Sequence, residues 1–176
     1  MLLVILILCL LAAILLTIFA ISGLAAFLLT RVPFVRTNAS DIEFIVGKLK
    51  LSSQDVIYEL GSGDGHVAFL FERLAECRVV GYELGWFIVM WAKLKTKLIG
   101  SKAKFINQNF FKADWSSANI IYCYLFPPLM ARVEEKFKKE MKPGSIAVVR
   151  DFPFPSMEYW EKHILPKGHR LYVYKV

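Results

Sequence analysis

Five apolar, β-branched runs punctuate residues 55–152: "DVIYEL" (55–60), "CRVVGYEL" (77–84), "AKFINQ" (103–108), "NIIYCYLF" (119–126) and "GSIAVVRDF" (144–152). Helix-like segments lie between them at 65–76, 85–99 and 128–141. Strands buried on both faces read as continuous apolar runs, and their alternation with helices predicts an α/β domain with a doubly wound, mostly parallel sheet. The polar segment 108–118 is too short for a full helix and predicts a loop or a single turn. Beyond Arg150, "PSMEYWEKHI" (155–164) predicts one short helix and "HRLYVYKV" (169–176) a last, antiparallel strand. The chain contains no internal repeat and no low-complexity tract.

The amino-terminal part has a different composition. Residues 1–30 contain no Asp, Glu, Lys, Arg or His. As a helix, thirty residues at about 1.5 Å each extend about 45 Å, more than the roughly 30 Å of a bilayer's hydrocarbon core, so a transmembrane anchor is expected there. A cleaved signal peptide fits less well, lacking a basic start and a small-residue cleavage site before Arg31. Arg31 and Arg36 flank one end only, which predicts an external amino terminus and a domain on the cytoplasmic side. Residues 31–54 read as a linker and a short helix, with Ser40 and Glu43 spaced as a capping box. Residues 55–176 form the remaining domain.

The net charge of +7 belongs wholly to residues 31–176. Such a domain is attracted to anionic headgroups, although nucleic acid or an acidic protein would feel the same field. The runs "KLKTKLIGSKAK" (93–104) and "KFKKEMK" (136–142) read either as solvated helix faces or as part of that attraction. Cys9, Cys77 and Cys123 form no CxxC pair and read as packing residues. His66, His163 and His169 lack metal-ligand spacing, so no metal is expected.

Between the first strand and the first helix of the alternation, "YELGSGDGHVAF" places Gly61, Gly63 and Gly65 around Ser62 and Asp64. Ligands of a doubly wound sheet bind beyond the carboxyl ends of its strands, where such a turn lies. The glycines let the backbone approach a ligand and the helix begin close to the sheet. The spacing is GxGxG rather than GxGxxG, and Glu59 stands two residues before the first glycine. A carboxylate there repels a diphosphate and suits a cationic amine, and no Gly-Lys-Ser/Thr follows to make a phosphate loop. Glu83, at the end of the second strand, is placed to accept hydrogen bonds from ribose hydroxyls. A nucleoside with an amine and no pyrophosphate describes S-adenosylmethionine.

"YELGSGDGHVAF" followed by "VVGYEL" resembles motifs I and II of the class I S-adenosylmethionine-dependent methyltransferases, which have a Rossmann-like fold. "PFVRT", "NQNFFKADWSSANIIYCYLFPPLM" and "RDFPFP" extend the likeness to the small membrane-anchored protein-lysine methyltransferases, among them the ATP synthase c-subunit lysine methyltransferase and its prokaryotic relatives. The resemblance implies that Glu59 holds the methionyl amine. It also implies that Gly61, Ser62, Gly63 and Gly65 shape the turn along the methionine, Glu83 binds the ribose and Leu84 packs on the adenine. Asn109, where the family commonly has an acidic residue, faces the adenine amino group, followed by Phe110.

Leu125, Phe126, Pro127 and Pro128 close the fourth strand at the rim of the pocket. The Asn/Asp-Pro-Pro-aromatic pattern of enzymes that methylate planar amines has its polar residue replaced here, which argues against a DNA adenine or glutamine acceptor. An apolar, aromatic channel suits a lysine, whose methylenes it can bury; the same residues could simply end a strand. Thr37 either closes over the cofactor or belongs to the linker. No residue is assigned as a general base, since alignment of a neutral amine with an activated methyl accounts for most of the chemistry. The expected function is methylation of a lysine in a membrane protein, with the bilayer as a partner and no nucleic acid. A small-molecule or lipid methyltransferase, a non-catalytic S-adenosylmethionine-binding protein and a nicotinamide-dependent reductase are the alternatives.

Overall fold

A computed structural model describes residues 1–30 and 37–176, with the side chains of residues 19 and 22–30 outside the description. Its core is a seven-stranded sheet: β1 (Val56–Leu60), β2 (Arg78–Glu83), β3 (Lys104–Asn107), β4 (Ile120–Cys123), β5 (Ile146–Arg150), β6 (Glu161–Ile164) and β7 (Arg170–Lys175). The strand order is β3-β2-β1-β4-β5-β7-β6. The first five strands run parallel; β7 pairs antiparallel with β5, and β6 antiparallel with β7. The helices are α1 (Leu2–Thr30), α2 (Ala39–Leu49), α3 (His66–Ala75), α4 (Trp86–Ile99) and α5 (Pro127–Glu140).

Alternation along each strand divides the core into two layers. Ile57, Val79, Ile120 and Val148 face one side, where they meet Ile42 and Ile45 of α2, Phe71 of α3 and Val89 of α4. Tyr58, Ile121, Ala147 and Val149 face the other, against Met130, Val133 and Phe137 of α5 and the buried indole of Trp115. Cys77 and Cys123 are buried in these layers as free thiols.

Three expectations are corrected. The membrane span falls first, although α1 is helical. Among the described residues no helix is long and apolar enough to cross a membrane, so the anchored, cytoplasmic-side placement of the domain is withdrawn. Second, the short helix expected over 155–164 is absent, and residues 161–164 form β6, because the exposed backbone of β7 offers hydrogen bonds that a short isolated helix lacks. The chain thus finds room for two strands after β5. Third, Ser40 does not cap α2: the N-cap is Asn38, without a side-chain bond, and the Ser40 hydroxyl lies buried inside the first turn without a hydrogen-bond partner.

The segment 108–118 contains one 3₁₀ turn, Phe110–Lys112, as the single-turn expectation had it. Of the linker, residues 31–36 lie outside the described residues, and with them most of "PFVRT".

Candidate active site

The strand order reverses between the parallel β1 and β4, leaving a crevice beyond their carboxyl ends where ligands of this architecture bind. The glycine turn lines one wall. Gly61, Gly63 and Gly65 all have positive φ (79°, 52° and 81°), which a side chain would strain. The turn is tied to β2, since the amides of Gly61 and Ser62 both donate to the Tyr82 carbonyl, at 2.9 and 3.0 Å. A Cβ on Gly65 would stand 2.5 Å from Phe105, so the close approach of α3 to the sheet depends on that glycine.

Glu83 sits beside the turn, half-buried, and accepts from the amide of Gly63 at 3.1 Å and that of Gly85 at 2.8 Å. The amide of Asn107 donates to the carbonyls of Glu83 and half-buried Leu84, which holds this strand end in place. Asn109 uses its side-chain oxygen to cap the 3₁₀ turn, accepting from the Phe111 amide at 2.9 Å; a carbonyl oxygen retains a second lone pair for another donor. Phe110 is buried beneath it.

Glu59 is the most constrained group of the site. Its side chain is 4% exposed, and Oε2 is buried without a hydrogen-bond partner. Burial pushes its carboxyl well above the ordinary carboxylate range; a hydrogen bond from the Ala68 backbone N–H opposes this, and the nearby Asp64 and Glu83 add to it. Asp64 is already paired with Lys95 at 2.9 Å, which leaves the carboxyl groups of Glu59 and Glu83 to favour a cationic ligand over a phosphate.

The opposite wall comes from β4 and β5. Leu125 is buried against the turn, 3.3 Å from the position of a Cβ on Gly61. Phe126 is 40% exposed at the head of α5, whose first two residues are Pro127 and Pro128. Phe126 and Tyr124 both lie beside Phe152, with ring centroids 6.2 and 6.3 Å apart respectively. Thr37 is buried here, accepting from Arg150 Nη1 at 2.7 Å, while Arg150 Nη2 binds Asp41 at 2.9 Å.

Several of these residues went unnoticed in the sequence. Arg150, 1% exposed, ends an otherwise apolar run, and that lone charge was the available signal. Tyr122 shares a face of the sheet with Glu59, which it opposes directly, and its hydroxyl is buried without a hydrogen-bond partner. Gly81, inside a strand, allows Ser62 to pack, since a Cβ there would lie 2.6 Å from the serine side chain; a glycine within a strand marks close approach of this kind.

Fold and crevice define a Rossmann-like α/β methyltransferase. The chain belongs to the family described as the ANTKMT methyltransferase domain, whose model matches residues 59–161. It is similar to a protein-lysine N-methyltransferase from Saccharolobus islandicus (strain REY15A), at 25% identity over 82% of this chain and 94% of that protein. It is also similar to the adenine nucleotide translocase lysine N-methyltransferase of Mus musculus, at 25% identity over 73% of this chain, although it spans only 56% of the mouse protein. Among solved structures, an RNA methyltransferase from Salinibacter ruber in complex with S-adenosylhomocysteine superposes with a TM-score of 0.76 and 26% identity, covering 81% of this chain and 94% of that one.

Proposed function

We propose that this enzyme transfers a methyl group from S-adenosylmethionine to a lysine amine of a protein. When bound, the cofactor supplies a methyl group activated by a positive sulfonium. In this reading the orphan oxygen of Glu59 receives the methionyl ammonium, while Gly61, Ser62, Gly63 and Gly65 keep the backbone close to the methionine chain. Glu83 accepts from the ribose, exchanging or sharing the hydrogen bonds it now accepts from the Gly63 and Gly85 amides. Leu84, Asn109 and Phe110 surround the adenine, and Leu125 packs beside the turn. Phe126, Pro127 and Pro128 border the acceptor channel, and Thr37, held by Arg150, covers its inner end.

The observation that carries the acceptor class is the aromatic wall of Tyr124, Phe126 and Phe152, which can bury lysine methylenes and exclude water. The two curated relatives, named for lysine methylation, support the same reading. The test is to incubate the full chain with methyl-labelled S-adenosylmethionine and, separately, with the protein, RNA and lipid fractions of its host cell and with purified adenine nucleotide translocase. Acid-stable label on methyllysine is expected in a protein arm. Label confined to RNA or lipid would overturn the lysine assignment.

A further inference from the structure

The aromatic wall ends in a polar group that the reading above leaves unused. Asp151 directly follows β5 and holds a left-handed backbone conformation, with φ of 60°, which is uncommon for a residue other than glycine and clusters at functional sites. Two bonds to the β6–β7 hairpin hold it there: its amide donates to the Arg170 carbonyl at 2.8 Å, and its Oδ1 accepts from the Arg170 amide at 2.9 Å. Its Oδ2 lies 2.8 Å from Nδ1 of His169. The Tyr124 ring meets the His169 imidazole edge-on, with centroids 6.3 Å apart. Three elements thus bring Tyr124, Asp151 and His169 to the carboxyl end of the sheet, next to Phe126 and Phe152.

We infer that His169, oriented by Asp151, is the base that takes the proton from the acceptor lysine, an inference that rests on the protein-lysine reading above. An ionised carboxylate only accepts hydrogen bonds, so Asp151 fixes the imidazole as the tautomer with hydrogen on Nδ1 and leaves Nε2 with its lone pair. The His169 side chain is 34% exposed, so it can reach an entering lysine and later return the proton to water. In the step, one N–H bond of the ammonium breaks, its electron pair stays on nitrogen, and the proton forms the Nε2–H bond of an imidazolium. The neutral amine is the species that can accept a methyl group.

The surroundings favour this transfer. Burial pushes the Asp151 carboxyl up, but the hydrogen bonds from the Arg170 amide and from His169 outweigh it and hold the group below its ordinary range, ready to support an imidazolium. The Arg150 guanidinium lies 4.7 Å from the centre of the Tyr124 ring, so that aromatic face already carries a cation and a second one beside it is disfavoured. Arg150 is itself paired with Asp41, which reduces this repulsion without removing it.

The test compares the unmodified full chain with His169→Gln and Asp151→Asn, using the protein fraction that the unmodified enzyme labels. Asparagine tolerates a left-handed backbone, so the second substitution preserves the loop. The expected result is a loss in kcat of about 10²-fold or more near neutral pH, with calorimetric affinity for S-adenosylhomocysteine within twofold. The ascending limb of the pH–rate profile set by the imidazole should vanish, leaving a rate that climbs into the alkaline range. Variants whose rate and pH profile match those of the unmodified chain would overturn the inference while leaving lysine methylation intact. Absence of any protein label from the unmodified chain would instead overturn the reading on which it rests. Should the variants fail to fold, ¹⁵N resonances of the unmodified chain decide: hydrogen on Nδ1 is expected for neutral His169, and hydrogen on Nε2 overturns the role.

Discussion

Glu59 meets opposed demands from folding and binding. Its buried carboxyl is pushed above the ordinary value of 4.5, so the free protein gains stability from it below that value and loses this as pH rises through the folded pKa and the group ionises without a partner. Glu59→Gln should therefore raise the melting temperature of the ligand-free protein near pH 8, with the gain shrinking towards pH 4.5. The same substitution should weaken S-adenosylmethionine binding because the methionyl ammonium loses its counter-ion. Thermal melts across pH with and without cofactor separate the two effects. For Glu83→Ala, calorimetry should show cofactor affinity weakened by about 1–3 kcal/mol, the range for losing an acceptor in a desolvated site; unchanged affinity would remove Glu83 from the ribose.

The glycine turn and α2 depend on partners supplied by other elements. Gly81→Ala places a methyl group 2.6 Å from Ser62, which must push the turn away from β2. A loss of about 1–3 kcal/mol in unfolding free energy is expected from overpacking, together with weaker cofactor binding, as read by denaturant titration and calorimetry. Helix α2 is docked through the fully buried pair of Asp41 and Arg150. Arg150→Met leaves the carboxylate buried without its cation and should cost about 3–5 kcal/mol, whereas adding Asp41→Leu should recover much of that, because two buried apolar groups carry no unmet charge. Denaturant melts of the single and double variants check this.

The carboxyl-terminal hairpin completes both the sheet and the crevice. Strand β7 pairs along the whole of β5 and buries Leu171, Tyr172, Val173 and Tyr174. At about 1.5–3 kcal/mol for each large apolar side chain, their burial amounts to roughly 6–12 kcal/mol, comparable to the whole stability of a small domain. A chain ending at residue 168 should therefore lose cooperative unfolding, observed as a broad, non-sigmoidal thermal transition by circular dichroism.

The parallel sheet, the helices covering it and the glycine turn were legible because each is written locally: continuous apolar runs, helical periodicity, and glycines at the strand-to-helix junction. Gly61, Glu59 and Glu83 were readable for the same reason, since adjacent strand ends place them within one crevice. Strand β6 was not, because "PSMEYWEKHI" has no strand pattern of its own and takes that form only against β7. Nor did composition decide the span of residues 1–30: length and apolar character alone do not show that a segment crosses a membrane, and among the described residues no helix is long and apolar enough to do so. The sequence by itself determined the class of fold and the cofactor, S-adenosylmethionine. Only the tertiary structure decided the pairing of Asp41 with Arg150, of Tyr122 with Glu59, and of Asp151 with His169. These residues are 109, 63 and 18 positions apart. Contacts between side chains at such separations are set by strand order and register, which no local pattern encodes.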